Sequence, residues 1–248
     1  MLESLKKDLE NLKDLKKAKI LQRFFKTGKG EYGEGDIFLG IPVPKQRKIA
    51  KKYSNITLSN IQSLFGSKIH EYRLVGLLVL IFKYKESSVK DKEKIFNFYL
   101  KNTKNINNWD LVDLSAPNII GEYTYLKKDS RVLFTLAKSN NLWEKRIAMI
   151  STYAFIKKQE FNEAFKIAEI LVYDKHDLIH KVVGWMLREI GKRNQDIEEE
   201  FLKKYAYNMP RTMLRYAIEK FDKKKRKYYL TYKKAWRKYF KINSIKEA

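Results

Sequence analysis

The sequence predicts an all-α protein, a solenoid of stacked helix pairs, and three observations carry that prediction. Apolar residues recur at spacings of three and four along nearly the whole chain. No stretch alternates convincingly with period two. Turn-forming residues are scarce, with 10 Gly and 4 Pro in 248 residues, which leaves little of the sharp-turn chemistry that an all-β fold needs. One domain spanning residues 1–248 is expected: N-terminal helices over 1–26, repeats over about 44–222 and a basic C-terminal helix over about 223–240.

The elements follow in chain order. Leu12, Leu15 and Ala18 lead into Ile20, Leu21, Phe24 and Phe25, an amphipathic helical pattern. The stretch KTGKGEYGEGD (26–36) then matches G-x-G-x-x-G by letters. A pyrophosphate-cradling loop needs a strand before it and a helix after it. Here a helical pattern precedes the glycines, and the extended, proline-bounded segment 36–44 follows. Glu31, Glu34 and Asp36 would also repel phosphate, so the expectation is a flexible connection rather than a nucleotide site. Beyond it come Leu74, Leu77, Leu78 and Ile81; Ile95, Phe98 and Tyr99; Ile147, Ile150 and Ala154; Phe165, Ala168 and Leu171; and Val183, Leu187 and Ile190. Short connections at 87–88, 139–141, 192–194 and 208–210 imply antiparallel neighbours.

A weak repeat appears when 71–82, 144–155, 180–191 and 212–221 are superposed, because each places a small residue at one phase: Gly76, Ala148, Gly184 and Ala217. These stand 72, 36 and 33 residues apart, so a further copy is expected near 112, where NNWDLVDLSA lies. A period in the mid-thirties, two helices per unit, is that of HEAT- or armadillo-like arrays, and small residues at one phase let helices approach closely. The phase assigns a shared polar face carrying Arg73, Trp109, Asp113, Lys145, Arg146, Lys181, Trp185 and Arg215, with Arg188 continuing it. In a solenoid such faces line a common surface, here a concave basic groove.

Charge is the informative total. Lys and Arg number 53 against 29 acids, a net +24, which points to a polyanionic partner: DNA, RNA or an acidic membrane surface. The longest apolar stretch, near Leu74–Phe82, is far short of the ~18 residues of a membrane span. The charged N-terminus has no signal-peptide core, and the absence of cysteine fits a cytoplasmic location. His176-Asp-Leu-Ile-His180 imitates a helical zinc motif, but Asp stands where that motif has its Glu and no third ligand is evident. No metal and no cofactor are expected. The run Lys220–Lys227, then Lys233, Lys234, Arg237 and Lys238 interleaved with Tyr228, Tyr229, Tyr232 and Trp236, suits either phosphate contact or a solvated tail helix.

Trp109, Asp113, Trp185 and Arg146 admit two readings. Tryptophans in helical proteins are commonly core, and Asp113 can serve as a cap or an ion-pair partner. On one face, however, two aromatic rings and a carboxylate suit stabilisation of a developing cation beside a DNA backbone, as in N-glycosidic bond cleavage.

Several stretches, in order, resemble the bacterial AlkD-type DNA alkylation repair glycosylases: GEYGEGDIFLGIPVPKQRKIAKKY (30–53), NWDLVDLSAP (108–117), LWEKRIAMISTYAFIK (142–157), HDLIHKVVGWMLREIGKR (176–193) and MPRTMLRYAIEKF (209–221). They cover most of the chain. The resemblance implies a HEAT-like solenoid whose concave basic surface binds double-stranded DNA and excises cationic N3- or N7-alkylated purines such as 3-methyladenine and 7-methylguanine. It implies that Asp113, Trp109 and Trp185 are catalytic and that Arg146 contacts DNA beside them, the base staying largely stacked. Arg47, Lys181, Arg188 and Arg211 complete the expected DNA contacts, with Lys45 and Gln46 placed at the same surface as Arg47. A monomer acting at the bacterial nucleoid is expected. The alternative is a non-catalytic HEAT-repeat module that binds nucleic acid or protein.

Overall fold

Residues 1–231 are described by a computed structural model. The later cations of the basic tail, with Tyr232 and Trp236, lie outside the described residues. Helices account for the architecture, and among the described residues there is no strand, only one isolated parallel bridge between Ile37 and Ile69. The predicted all-α solenoid class is thus the observed one. The chain divides into two compact units, one up to Leu126 and the other beginning at Lys127. Among the described residues no helix is long and apolar enough to cross a membrane.

The first unit holds α1 (Leu2–Glu10), α2 (Leu15–Phe24), α3 (Val43–Lys52), α4 (Leu58–Phe65), α5 (His70–Glu86), α6 (Val89–Lys101) and α7 (Trp109–Ala116), with α8 (Glu122–Lys127) at its end. Its centre is α5, buried from His70 through Ile81, with α3, α4, α6 and α7 packed around it. Phe65 of α4 lies so close to Gly76 that an added Cβ would meet its ring at 2.9 Å, which is why this phase is small.

The second unit holds α9 (Arg131–Ala137), α10 (Leu142–Ser151), α11 (Tyr153–Ile156), α12 (Asn162–Leu171), α13 (Asp177–Gly191), α14 (Gln195–Tyr205) and α15 (Arg211–Ala217). Here α13 is central, against α10, α12, α14 and α15. A Cβ on Gly184 would collide with the Met213 carbonyl and the Tyr216 side chain, so α13 and α15 meet where the small phase predicts. Residues 223–231 begin the expected basic C-terminal helix.

The short connections are also the caps. Ser88, Asn141 and Asn194 accept the Asp91, Trp143 and Ile197 amides at the starts of α6, α10 and α14. Thr57 and Asn108 do the same for α4 and α7.

The glycine loop is a connection, as expected, and it is hydrogen-bonded within itself. The Gly28 amide donates to Glu31 Oε2 (2.9 Å), the Gly30 amide to Glu34 Oε2 (2.8 Å) and the Gly33 amide to the Lys26 carbonyl (3.0 Å). The acids that argued against phosphate take up the amides a phosphate would need. The extended segment that follows is anchored by one carboxylate: Glu71, on the first turn of α5, accepts the amides of Leu39 (2.9 Å), Gly40 (2.8 Å) and Ile41 (3.2 Å). Gly40 has φ +86°, and a Cβ there would strike the Asp14 carbonyl, so glycine is required.

Candidate functional site

In the first unit the expected residues sit on α7. Asn108 is fully buried and accepts the Trp109 amide (2.8 Å), so the helix starts with the Trp109 side chain on its first turn. Asp113 follows four residues later on the same face, half-buried. Trp109 is not a bare aromatic surface. Its ring stacks on Phe25 (centroids 5.1 Å apart, 16° between planes), and Phe24 meets it edge-on at 5.9 Å. Phe24 itself is 61% exposed, so the site keeps one aromatic edge in solvent. Tyr99 lies beneath, its hydroxyl 2.9 Å from Ser115 Oγ. Burial pushes the Tyr99 phenol far up, and the Asp113 charge adds to that, so it stays neutral.

The stack continues inward. Phe25 lies on Phe38 (4.9 Å, 18°), and Phe38 lies on the imidazole of His70 (4.4 Å, 21°). His70 is 2% exposed and sits between two carboxylates: Nδ1–H donates to Asp36 Oδ2 (3.2 Å) and Nε2–H to Asp110 Oδ2 (2.8 Å). Arg73 donates to the same Asp36 oxygen (2.6 Å) and to the Ser67 carbonyl (2.8 Å). Burial pulls the imidazole pKa down, but the Asp110 charge and the two carboxylate hydrogen bonds outweigh it and lift it to about 9. Burial would raise Asp36, yet His70 and Arg73 hold it below its ordinary value. Two cations and two anions make the cluster neutral, the arrangement a buried charge group requires.

In the second unit, Arg146 of α10 is 5% exposed, and its Nη1 donates to the Leu178 carbonyl in the first turn of α13 (2.6 Å). Lys181, Trp185 and Arg188 succeed one another along that helix at spacings of four and three. Lys181 pairs with Asp177 (2.6 Å), and the half-buried Trp185 donates Nε1–H to Glu189 Oε1 (3.3 Å). Arg188 pairs with Glu219, while its buried Nε has no hydrogen-bond partner. Arg211 reaches the Leu230 carbonyl (2.7 Å), and Lys145 reaches Asp174 (2.7 Å). His176 caps α13 by accepting the Leu178 amide, and His180 Nε2 lies 2.6 Å from the Asp174 carbonyl. Both histidines of the zinc-like motif are thereby engaged with backbone, and among the described residues no group of three His, Cys, Asp or Glu side chains is arranged to hold a metal ion.

Two sequence expectations change. Gln46 is buried, with Nε2 donating to the Ile41 carbonyl (2.6 Å), because its position faces the extended segment; only Lys45 and Arg47 of that trio are exposed. Arg73 does not line a solvent-facing cationic surface, since it is 3% exposed and bound to Asp36. Phe25, Phe38, Asp36, His70 and Asp110 were not singled out as site residues from sequence. The usable signals were slight: paired phenylalanines ending α2, and the only histidine outside the zinc-like motif beginning α5.

A family model described as "DNA alkylation repair enzyme" matches residues 5–221. No curated protein matches the chain. Among solved structures, one described as a predicted DNA alkylation repair enzyme from Enterococcus faecalis is similar at 18% identity, with a TM-score of 0.67 over 85% of this chain and 97% of that one. AlkD2 from Streptococcus mutans is similar at 18% identity, with a TM-score of 0.56 over 83% of this chain and 97% of that one. The protein smu.31 from Streptococcus mutans UA159 is similar at 19% identity, with a TM-score of 0.56 over 73% and 93%. At these identities the likeness is one of fold.

Proposed function

Since the chain belongs to the DNA alkylation repair enzyme family, we propose that it is a monofunctional DNA glycosylase that releases cationic N3- and N7-alkylated purines from double-stranded DNA. The family match gives the DNA repair role. The observation that carries the finer reading is the pairing of Trp109 with Asp113 one turn apart on α7.

The chemistry follows from the lesion. Alkylation at N3 or N7 makes the purine cationic and already a good leaving group, so little general acid is needed. As the N-glycosidic bond breaks, its electron pair leaves with the base and the sugar takes on oxocarbenium character. Asp113, as a carboxylate, stabilises that charge and orients the water that adds to the anomeric carbon. The proton of that water passes to solvent, leaving the free base and an abasic site. Trp109, one turn from Asp113, adds cation–π attraction to the sugar, and the same chemistry is the role proposed for the half-buried Trp185. Arg47, Lys181, Arg188 and Arg211 serve the phosphates, Lys181 and Arg188 by exchanging Asp177 and Glu219 for phosphate oxygens. Arg146, being buried on the Leu178 carbonyl, serves the site chiefly by fixing the start of α13.

The test is release of 7-methylguanine or 3-methyladenine from methylated duplex DNA, with Asp113→Asn alongside. Release by the wild type above a protein-free control, lost in the variant, is expected; no release by the wild type sinks the reading. One observation favours a second reading, a non-catalytic binding module: a face of Trp109 is already covered by Phe25. Under it, Asp113→Asn leaves DNA affinity equal or tighter and no reaction is lost.

A further inference from the structure

We propose that His70, clamped between Asp36 and Asp110, is a positioning residue that sets the first turn of α7 and through it Trp109 and Asp113. For its chemistry the proposal rests on the glycosylase reading above; for its geometry it does not.

Two separate routes run from one imidazole to the same turn of helix. The polar route goes from Nε2 to Asp110 Oδ2, 2.8 Å away. Asp110 is the residue after Trp109, and its Oδ1 also accepts the Leu111 amide (2.8 Å), so the carboxylate is tied to the backbone of the turn it steers. The aromatic route goes from the imidazole to Phe38, then Phe25, then Trp109, with centroid separations of 4.4, 4.9 and 5.1 Å. Asp110 and Trp109 therefore cannot both keep their places if the imidazole moves. The far side of the clamp is fixed as well: Asp36 is held to α5 by Arg73 (2.6 Å) and, through His70, to α7.

The charged groups that face His70 are Asp36 from the extended segment, Asp110 from α7 and Arg73 from its own helix. The neighbouring segments otherwise present Phe25 and Phe38, which do not titrate. A neutral imidazole has one N–H, so it can donate to only one of the two carboxylates. Loss of the proton therefore removes one arm of the clamp and leaves the buried group with net negative charge. Because the imidazole is held protonated to about pH 9, the clamp is closed at neutral pH and opens in alkaline solution.

The chain has three histidines, so the His70 ring can be followed by NMR in the full-length protein and assigned with His70→Gln. A titration midpoint near 9 is expected, lowered by about one unit or more in Asp110→Asn. The indole N–H resonance of Trp109, assigned with Trp109→Phe, is expected to move with the same midpoint. A Trp109 resonance indifferent to the His70 titration overturns the proposal, whatever reaction the protein performs. In single-turnover release of 7-methylguanine, the rate constant is expected to fall across that midpoint while affinity for undamaged duplex holds. His70→Gln is expected to be slower by about tenfold and to lack the step. A step that persists in His70→Gln overturns the proposal. If that variant does not fold, the wild-type and Asp110→Asn titrations decide it. Absence of release at every pH, with Trp109 still following His70, sinks the glycosylase reading and leaves His70's hold on α7 standing.

Discussion

Candidate residues of the two units are held in opposite ways. On α7, Trp109 is fixed by a stack of phenylalanines, and the adjacent Asp110 by a buried imidazole between two carboxylates. On α13, Lys181 and Arg188 are held by Asp177 and Glu219 at partly exposed positions. Buried clamps cost much to break, whereas exposed ion pairs contribute about 0–1 kcal/mol and exchange readily. On the glycosylase reading proposed above, the difference is a division of labour: rigid placement where charge would develop in the reaction, replaceable partners where a cation would trade a carboxylate for a phosphate.

The largest effect that would break this comparison is chemical. Asp113→Asn is expected to reduce base release by about 100- to 1,000-fold, the scale for removing one electrostatic stabiliser, with duplex affinity retained in a gel-shift measurement. Equal losses of affinity and rate would mean that Asp113 holds structure rather than serving the reaction.

Next is the pH dependence of stability. The folded pKa of His70 is raised from the ordinary 6.5 to about 9. Its contribution is therefore complete below about pH 6.5 and is lost as pH rises through about 9. Urea denaturation is expected to show a decline on the order of 3 kcal/mol over that window, absent in His70→Gln. A flat profile would remove the contrast, since the first unit would then lack a strong buried clamp.

Smaller, and sharpening the picture of α13, is Gly184→Ala. A Cβ there strikes the Met213 carbonyl, a backbone atom that cannot rotate away. The variant is expected to lose about 1–3 kcal/mol in thermal or chemical denaturation.

The smallest effects are those of Lys181→Gln and Arg188→Gln. Each is expected to reduce the slope of log affinity against log salt by about 1. Stability should change within about 1 kcal/mol for Lys181→Gln, whose partner is exposed. A salt slope that does not change would assign these cations to the fold instead of to DNA.

Much of the fold was legible in the chain. Spacings of three and four marked the helices because a helix face is a property of the local backbone. Ser88, Asn141 and Asn194 were readable as breaks for the same reason, a short polar side chain satisfying an amide two or three residues on. The common small phase foretold the close approaches at Gly76 and Gly184, where an added Cβ has no room. Trp109 and Asp113 could be placed on one face because one turn separates them.

What tertiary structure alone decided involves partners distant in sequence. Asp36, His70 and Asp110 are 34 and 40 residues apart, and nothing in their local patterns pairs them. Arg73 and Gln46 were read outward as surface groups, yet packing turned them inward to Asp36 and the Ile41 carbonyl. Glu71 likewise became the acceptor for three amides some thirty residues earlier. Periodicity determines which way a side chain leaves its helix. Whether that direction meets water, a carboxylate or a ring depends on which other helix lies there, and that is set by the packing of the whole unit.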